Sequence, residues 1–569
     1  MGGVTIHIAG RTLGFAGAAR LDNATALARA YGLPVDASET LIIGHAYCRH
    51  GVDFPASLLG DFSFALHDPA EGALWLVRDH LGVRPLYYYH SVRCCVASNS
   101  LDAMLADPAI PQALSDGVVA DWCLSGRLYA QSETFFAAIR KVPRATALRL
   151  SATGVSHHSY WPLAAGELLV YRDERDYLLH LQALLRQVVL DRLPKQGLVA
   201  AHFSGGLDST PIAILAGRAC LQQGRPFFSY NWCRPDGGDA SACSEWDDAR
   251  NAARAEGFGH QEFGITADAL KVSLLHHDVA RDGTTMFEYE RAVLAQAREA
   301  GVGWIFSGFG GDELLSCSMS DSLASLIRQG RCLHAWQRLA LQADPQQSLG
   351  LLRRLVRFGR LLRDAAGLAS EKPHPWLARR EEDQRLRRAL LNPGPAACWG
   401  GGHCLEPPLQ TVRDFQRYML ESGYHQERME SWAILGGRVG VQYLYPYLDK
   451  RIVEFALALP PEWYFRHGQN RYLYRKAAAN AIPAFMRQKG KPPETYRVRQ
   501  LVRERLKALV DPEVHEMIRN TDSPYINTQA LLAQCRQIHT LRTDDLQVCI
   551  PQVQALTGAV LTLNIGRKR

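Results

Sequence analysis

The chain has no apolar run long enough to span a bilayer. Its first residues, Met1-Gly2-Gly3-Val4-Thr5-Ile6, lack the basic start and long apolar stretch of a secretory signal, and Ile6 stands where the myristoylation pattern wants serine or threonine. A soluble, cytoplasmic protein without a membrane partner is expected. The 13 cysteines are scattered and odd in number, the adjacent Cys94-Cys95 pair is poorly placed for a mutual bridge, and no C-x-x-C pairs recur. That usage argues against a zinc ribbon and fits a reducing compartment. Cys398 and Cys404 with His403 form the one cluster, read as a glycine-rich loop without metal. The G-x-x-x-x-G-K-[ST] phosphate loop is also missing.

At 569 residues the chain is too long for one core, while 47% hydrophobic and 21% charged residues are ordinary for a globular protein. The net charge of +7 does not call for nucleic acid, and none is expected as a partner. Arginines crowd one stretch: Arg353-Arg354, Arg357, Arg360, Arg363, Arg379-Arg380, Arg385 and Arg387-Arg388. They read either as solvated helix faces or as a docking surface for an acidic partner.

Against this background stands His202-Phe203-Ser204-Gly205-Gly206-Leu207-Asp208-Ser209-Thr210. An apolar run, Gly197 to Ala201, precedes it and reads as a buried strand; Pro211 to Ala216 follows and reads as a helix with proline in its first turn. Gly205 and Gly206 let the backbone turn tightly and aim N–H groups at a phosphate. The helix N-terminus adds partial positive charge, and Ser204 and Ser209 add hydroxyls. Asp208 supplies a carboxylate for Mg²⁺. The string predicts a cradle for the pyrophosphate end of ATP, of the type associated with cleavage between the α- and β-phosphates.

Residues 1–165 read as a sheet-rich α+β domain, with strands expected at Leu41–Tyr47, Asp61–His67, Leu74–Arg78 and Leu86–Tyr89. A helix from Tyr177 leads into a second domain, 176–569, where strands and helices alternate up to about 315 and helices dominate beyond 320. Alternation means a parallel sheet covered on both faces, with ligands at the carboxyl ends of its strands. Ser307-Gly308-Phe309-Gly310-Gly311-Asp312-Glu313 closes one such strand, and Asp312 is expected to face Asp208 across a pyrophosphate, both holding Mg²⁺.

These motifs resemble the asparagine synthetase superfamily. Leu59 to Leu66 and Arg78-Asp79-His80-Leu81-Gly82-Val83-Arg84-Pro85-Leu86-Tyr87 are similar to its glutaminase-type domain. Ser204 to Ser209, Ser307 to Glu313 and Pro446-Tyr447-Leu448-Asp449 are similar to its synthetase domain. The resemblance implies an N-terminal Ntn-hydrolase-like sandwich, then an adenine nucleotide α-hydrolase-like parallel sheet with a large helical part. It implies ATP contacts at His202, Ser204, Gly205, Gly206, Leu207, Asp208, Ser209, Trp232, Ser307, Gly308 and Lys489, the lysine also stabilising charge on the reacting phosphate. Lys491 is a nearby rival, and Arg475 and Lys476 are expected to add positive potential.

The departures redirect the function. Gly2 stands where the glutaminase nucleophile, a cysteine, is expected, and the first cysteine is Cys48. Phe309 stands where asparagine synthetases have glutamate and beta-lactam synthetases have tyrosine. Glu430, sixteen positions before Pro446, falls about where the beta-lactam synthetase glutamate would, and is expected as the base beside the adenylate, with Glu427 as second choice. A solvated helix carboxylate is the other reading of both. A silent glutaminase domain joined to an intact adenylating domain looks most like the lasso peptide cyclases. That resemblance implies adenylation of an Asp or Glu side chain of a precursor peptide and ring closure by its terminal amine, releasing AMP. It also implies leader-binding and leader-peptidase partners. An ammonia-dependent asparagine synthetase, a small-molecule ring-closing ligase and a non-catalytic scaffold are the alternatives.

Overall fold

The computed structural model describes residues 3–8, 10–128, 131–151, 154–163, 166–234, 244–286, 288–317, 323–328, 330–341, 351–365, 383–394, 411–467, 469–487, 495–538 and 546–565. Lys489, Lys491, Arg379-Arg380 and the Cys398–Cys404 cluster lie outside them.

The amino-terminal part is a two-sheet sandwich. Strands β1 (Val4–Ile8), β2 (Arg11–Leu21), β3 (Gly60–Asp68) and β4 (Ala73–Arg78) lie in one antiparallel sheet. Strands β5 (Tyr87–His90), β6 (Cys95–Ser98) and β7 (Arg140–Lys141) form the second, and β8 (Thr146–Ser151) and β9 (Gly154–Ser159) complete the first in the order β1-β2-β3-β4-β8-β9. Alternate residues of each strand share a face. Leu76, Leu148 and Leu150 thus meet Leu86 and Val142 between the sheets, while Phe62, Phe64 and Leu66 bury the opposite side.

Leu41–Tyr47 corrects the expectation of a strand: it lies within the helix Glu39–His50. Ser38 caps that helix by accepting from the Leu41 amide (3.3 Å), and Ile42, Ile43, Ala46 and Tyr47 fall on one buried stripe.

In the second part, β10 (Leu198–His202), β11 (Phe227–Arg234), β12 (Gly259–Gly264), β13 (Val302–Phe306) and β14 (Gln442–Leu444) form a parallel sheet in the order β12-β11-β10-β13-β14. Val199, Ala200 and Ala201 of the central strand are fully buried, as a strand covered on both faces requires. The chain runs outward from β10 in one direction and then returns to its other side with β13. The crevice at such a switch point is where open α/β sheets hold ligands. Here it brings together the turns after His202 and Phe306.

One apolar core passes through both parts, from Phe62, Val77 and Trp161 to Val199, Phe306 and Leu448. Among the described residues no helix is long and apolar enough to cross a membrane.

Candidate active site

The turn after β10 is organised from within. The Ser204 amide donates to Ser209 Oγ (3.0 Å), the two hydroxyls lie 2.8 Å apart, and the Gly206 amide donates to Ser204 Oγ (3.2 Å). Gly205 has φ +79, the left-handed region, and a Cβ there would fall 2.0 Å from the Glu245 carbonyl oxygen. The 14-residue helix Ser209–Gln222 starts at this turn, with its N-terminal amides directed at the crevice.

The turn after β13 packs directly on the first. A Cβ on Gly308 would lie 2.7 Å from the Ser209 backbone, and one on Gly311 would lie 2.5 Å from Asp208 Oδ1. Gly308→Ala is therefore expected to push the turns apart, at a cost of about 1–3 kcal/mol. It should weaken ATP binding by about tenfold or more, measured by equilibrium titration. Gly303→Ala, whose Cβ would meet nothing within 4 Å, is the control and should bind normally.

Asp208 and Asp312 are brought together, as the spacing of the turns implies. Arg471 bridges them, with Nη1 3.6 Å from Asp208 Oδ2 and Nη2 donating to Asp312 Oδ1; Ser316 Oγ donates to Asp208 Oδ1. Burial opposes the guanidinium charge, but the two carboxylates outweigh it and raise Arg471 above its ordinary value. Arg471 holds a left-handed backbone (φ +60) at the head of the helix Tyr472–Ala477. Its distance along the chain hid it; the nearby Arg475 and Lys476 were the only signal. Arg475 donates to the Asn470 and Arg487 carbonyls while its charge is felt at Arg471 and Asp208, so it adds positive potential to the cradle, whereas Lys476 pairs with Glu174 at 2.6 Å.

Behind the cradle, the Tyr447 and Tyr474 hydroxyls touch each other and reach the Asp208 and Leu207 carbonyls (3.0 and 2.9 Å). Leu448 packs on Gly310. Asp449, the last residue of the same motif, takes no part in the crevice: Arg192 and Arg451 hold it. Burial alone would raise its pKa, and these two guanidinium groups instead hold it well below the carboxylate range.

Asp208 and Asp312, the two carboxylates that converge on Arg471, are hard oxygen donors. They fit Mg²⁺, which typically takes one or two carboxylates and completes its shell with phosphate and water.

His202 and Trp232 line the crevice floor. His202 is buried, with Nε2 2.9 Å from Glu290 Oε1 and Nδ1 3.4 Å from Ser307 Oγ; Tyr443 also donates to Glu290 Oε1 (2.6 Å). Trp232 meets His202 edge-on at 4.2 Å and stacks on Tyr289 at 5.7 Å. These contacts hold the His202 and Trp232 side chains against their neighbours. Ser307 is tied to the neighbouring strand by its amide, which donates to the Leu444 carbonyl (2.8 Å).

Glu430 corrects the expectation of a base beside the adenylate. It is 5% exposed on the helix Tyr424–Gly437 and accepts from Arg78 Nη2 (2.5 Å), Lys141 Nζ (3.0 Å) and Gln426 Nε2 (3.0 Å). Burial works against its charge, yet Lys141 and Arg78 hold its pKa down at about 2, unsuited to taking a proton from an amine. Glu427 accepts from the Leu128 amide at 2.5 Å, and burial pushes it up to about 7; it too faces the amino-terminal part.

Phe309 is covered by the same helix through other residues. The Arg428 guanidinium stands 4.4 Å over its ring, and the rings of His425 and Trp432 lie at 5.3 and 5.6 Å. In the arginine-rich stretch, Arg387 is buried, donating to Asp383 (2.9 Å) and the Cys123 carbonyl (3.4 Å), so it cannot serve a docking surface. Burial raises the Cys48 thiol, which leaves it a poor nucleophile.

Comparison with known proteins agrees with this architecture. The asparagine synthase profile matches residues 180–555, and a glutamine amidotransferase domain profile matches 32–161. The chain belongs to the asparagine synthase family. It is 26% identical over 195 residues to asparagine synthetase [glutamine-hydrolyzing] 3 of Bacillus subtilis, covering 34% of this chain and 31% of that protein. It is 25% identical over 353 residues to Amidase chyE of Penicillium rubens, covering 57% and 49%. The aligned segments thus span less than half of these relatives' length.

Proposed function

We propose that the chain is an ATP-dependent, AMP-forming carbon–nitrogen ligase that closes a macrolactam within a precursor peptide, as lasso peptide cyclases do. The observation that supports this most is the pair of abutting turns with Asp208 and Asp312 converging between them. The peptide's Asp or Glu carboxylate attacks the α-phosphorus of ATP, pyrophosphate leaves, and the peptide's own amine displaces AMP.

The amides of the Ser204–Ser209 turn and the helix behind them hold the pyrophosphate end, and Arg471 neutralises charge beside it. Mg²⁺, held by Asp208 and Asp312, would supply further neutralisation of the polyphosphate. Lys489 is assigned to the same task by resemblance. Phe309 gives the acceptor side an apolar wall in place of a polar group suited to ammonia, and it helps keep water from the acyl-adenylate. Orienting amine and carboxyl within one folded peptide can supply about 7–11 kcal/mol. Leader-binding and leader-peptidase proteins are the proposed partners, in a cytoplasmic setting.

The relatives' names favour a second reading, an ammonia-dependent asparagine synthetase. Incubation with ATP, Mg²⁺ and a linear peptide bearing an internal acidic residue should release AMP and pyrophosphate and yield a product lighter by one water. Aspartate plus ammonia should release neither. Turnover only with the latter pair, or formation of ADP, would overturn the proposal.

A further inference from the structure

The oxygens suited to a metal are engaged by a cation of the chain's own. Arg471 Nη2 donates to Asp312 Oδ1, Nη1 stands 3.6 Å from Asp208 Oδ2, and Ser316 Oγ donates to Asp208 Oδ1. Mg²⁺ binds carboxylate oxygen at about 2.0–2.1 Å. A metal that close to Asp312 Oδ1 would fall against Nη2, which uses the same oxygen. Guanidinium and metal therefore draw on one pair of carboxylates and repel each other across it.

Arg471 is placed both to hold this position and to leave it. Its backbone is pinned: the amide donates to the Tyr464 carbonyl (2.6 Å), and its carbonyl accepts from the Arg475 amide (2.8 Å). Three residues on, Tyr474 ties the same helix to the Leu207 carbonyl of the phosphate turn (2.9 Å). The head of this helix is thus fixed beside the turn, while the long side chain keeps its rotatable bonds. A guanidinium stays charged at any ordinary pH, and its fork of donors fits phosphate as well as carboxylate. The Asp312 end of the pair is the open one, with a half-exposed side chain against the buried Arg471.

We infer that Arg471 competes with Mg²⁺ for Asp208 and Asp312, and that the polyphosphate of ATP ends this competition by drawing the guanidinium to itself. ATP thereby admits its own metal, and the chain alone holds divalent cations poorly. Asp208 and Asp312 exchange one cation for another and are never left bare. This rests on the ATP cradle of the reading above and adds the order in which the cradle fills.

Two equilibrium titrations of the full-length chain test this without turnover. Mn²⁺ alone, followed by electron paramagnetic resonance, should bind wild type weakly and Arg471→Met at least about tenfold more tightly. ATP in excess chelator, with no divalent metal, should bind Arg471→Met at least about tenfold more weakly than wild type. Arg471→Gln, neutral but still able to donate to Asp312, should give both shifts even if the methionine variant fails to fold. Adding Asp312→Asn to either variant should erase the gain in Mn²⁺ binding. The opposite signs are the signature, since a merely structural role would weaken both ligands; weakening of both would overturn the inference. So would Mn²⁺ binding to wild type as tight as to the variants, a gain that survives Asp312→Asn, or metal-free ATP binding that ignores position 471. A wild type that binds ATP neither with Mg²⁺ nor without it would instead overturn the cradle itself.

Discussion

Replacing Asp208 with alanine is expected to cut AMP and pyrophosphate release on the order of a hundred- to a thousandfold. Its carboxylate accepts from Ser316, faces Arg471 and lies against Gly311, so it fixes the distance between the two turns as well as carrying charge. Without it Arg471 keeps only Asp312, whose side chain is far more exposed (43% against 17%). The guanidinium is then free to swing with that exposed partner and the phosphate pocket loses its fixed cation. Asp312→Ala should cost less, because Ser316 and Arg471 still hold Asp208. Steady-state assays of AMP and pyrophosphate, with a thermal midpoint to check folding, decide the matter. Unchanged ring formation in Asp208→Ala would remove the basis of the proposed chemistry.

Glu430→Ala should act on stability. Arg78 is completely buried, Lys141 nearly so, and both direct their charge at this one carboxylate. Removing one partner of a buried ion pair typically costs about 3–5 kcal/mol, because the remaining charge is stranded away from water. A lower unfolding midpoint is expected. The pH dependence has a definite sign. The folded pKa of about 2 lies below the ordinary value for glutamate, about 4.3. The stabilisation is therefore complete above the unfolded value and fades as pH falls from there toward 2. The gap in midpoint between wild type and variant should be widest near neutrality and narrow through that window. A gap that is absent, or that widens in acid, would contradict the assignment.

The parts of the site that could be read in the sequence are those contained in one short stretch. Strand, turn and helix from Leu198 to Gln222 follow each other directly, so glycine, hydroxyl and proline positions specify the cradle locally. What brings distant residues together could not be read the same way. Strand β14 is three residues long and adds to the sheet only after the helical region, and Arg471 arrives later still. Glu430 failed for a different reason. Spacing along the chain placed it on the right helix but could not say which face it occupies. His425, Arg428 and Trp432 share one face, at intervals of three and seven, and that face meets Phe309. Gln426 and Glu430, four apart, share another, which meets the amino-terminal sandwich. The apolar run at Leu41–Tyr47 is short enough to suit either period, and only packing decided it.

Arg78 also carries a lesson about why the first half of the molecule persists. Three of its other N–H donors go to the carbonyls of Gly82, Arg84 and Val142, which hold it in place. Discarding the sandwich would remove both cations from Glu430 and uncover the face of the Tyr424–Gly437 helix that now packs against it, so the two halves are bound together by charge as well as by their shared apolar core.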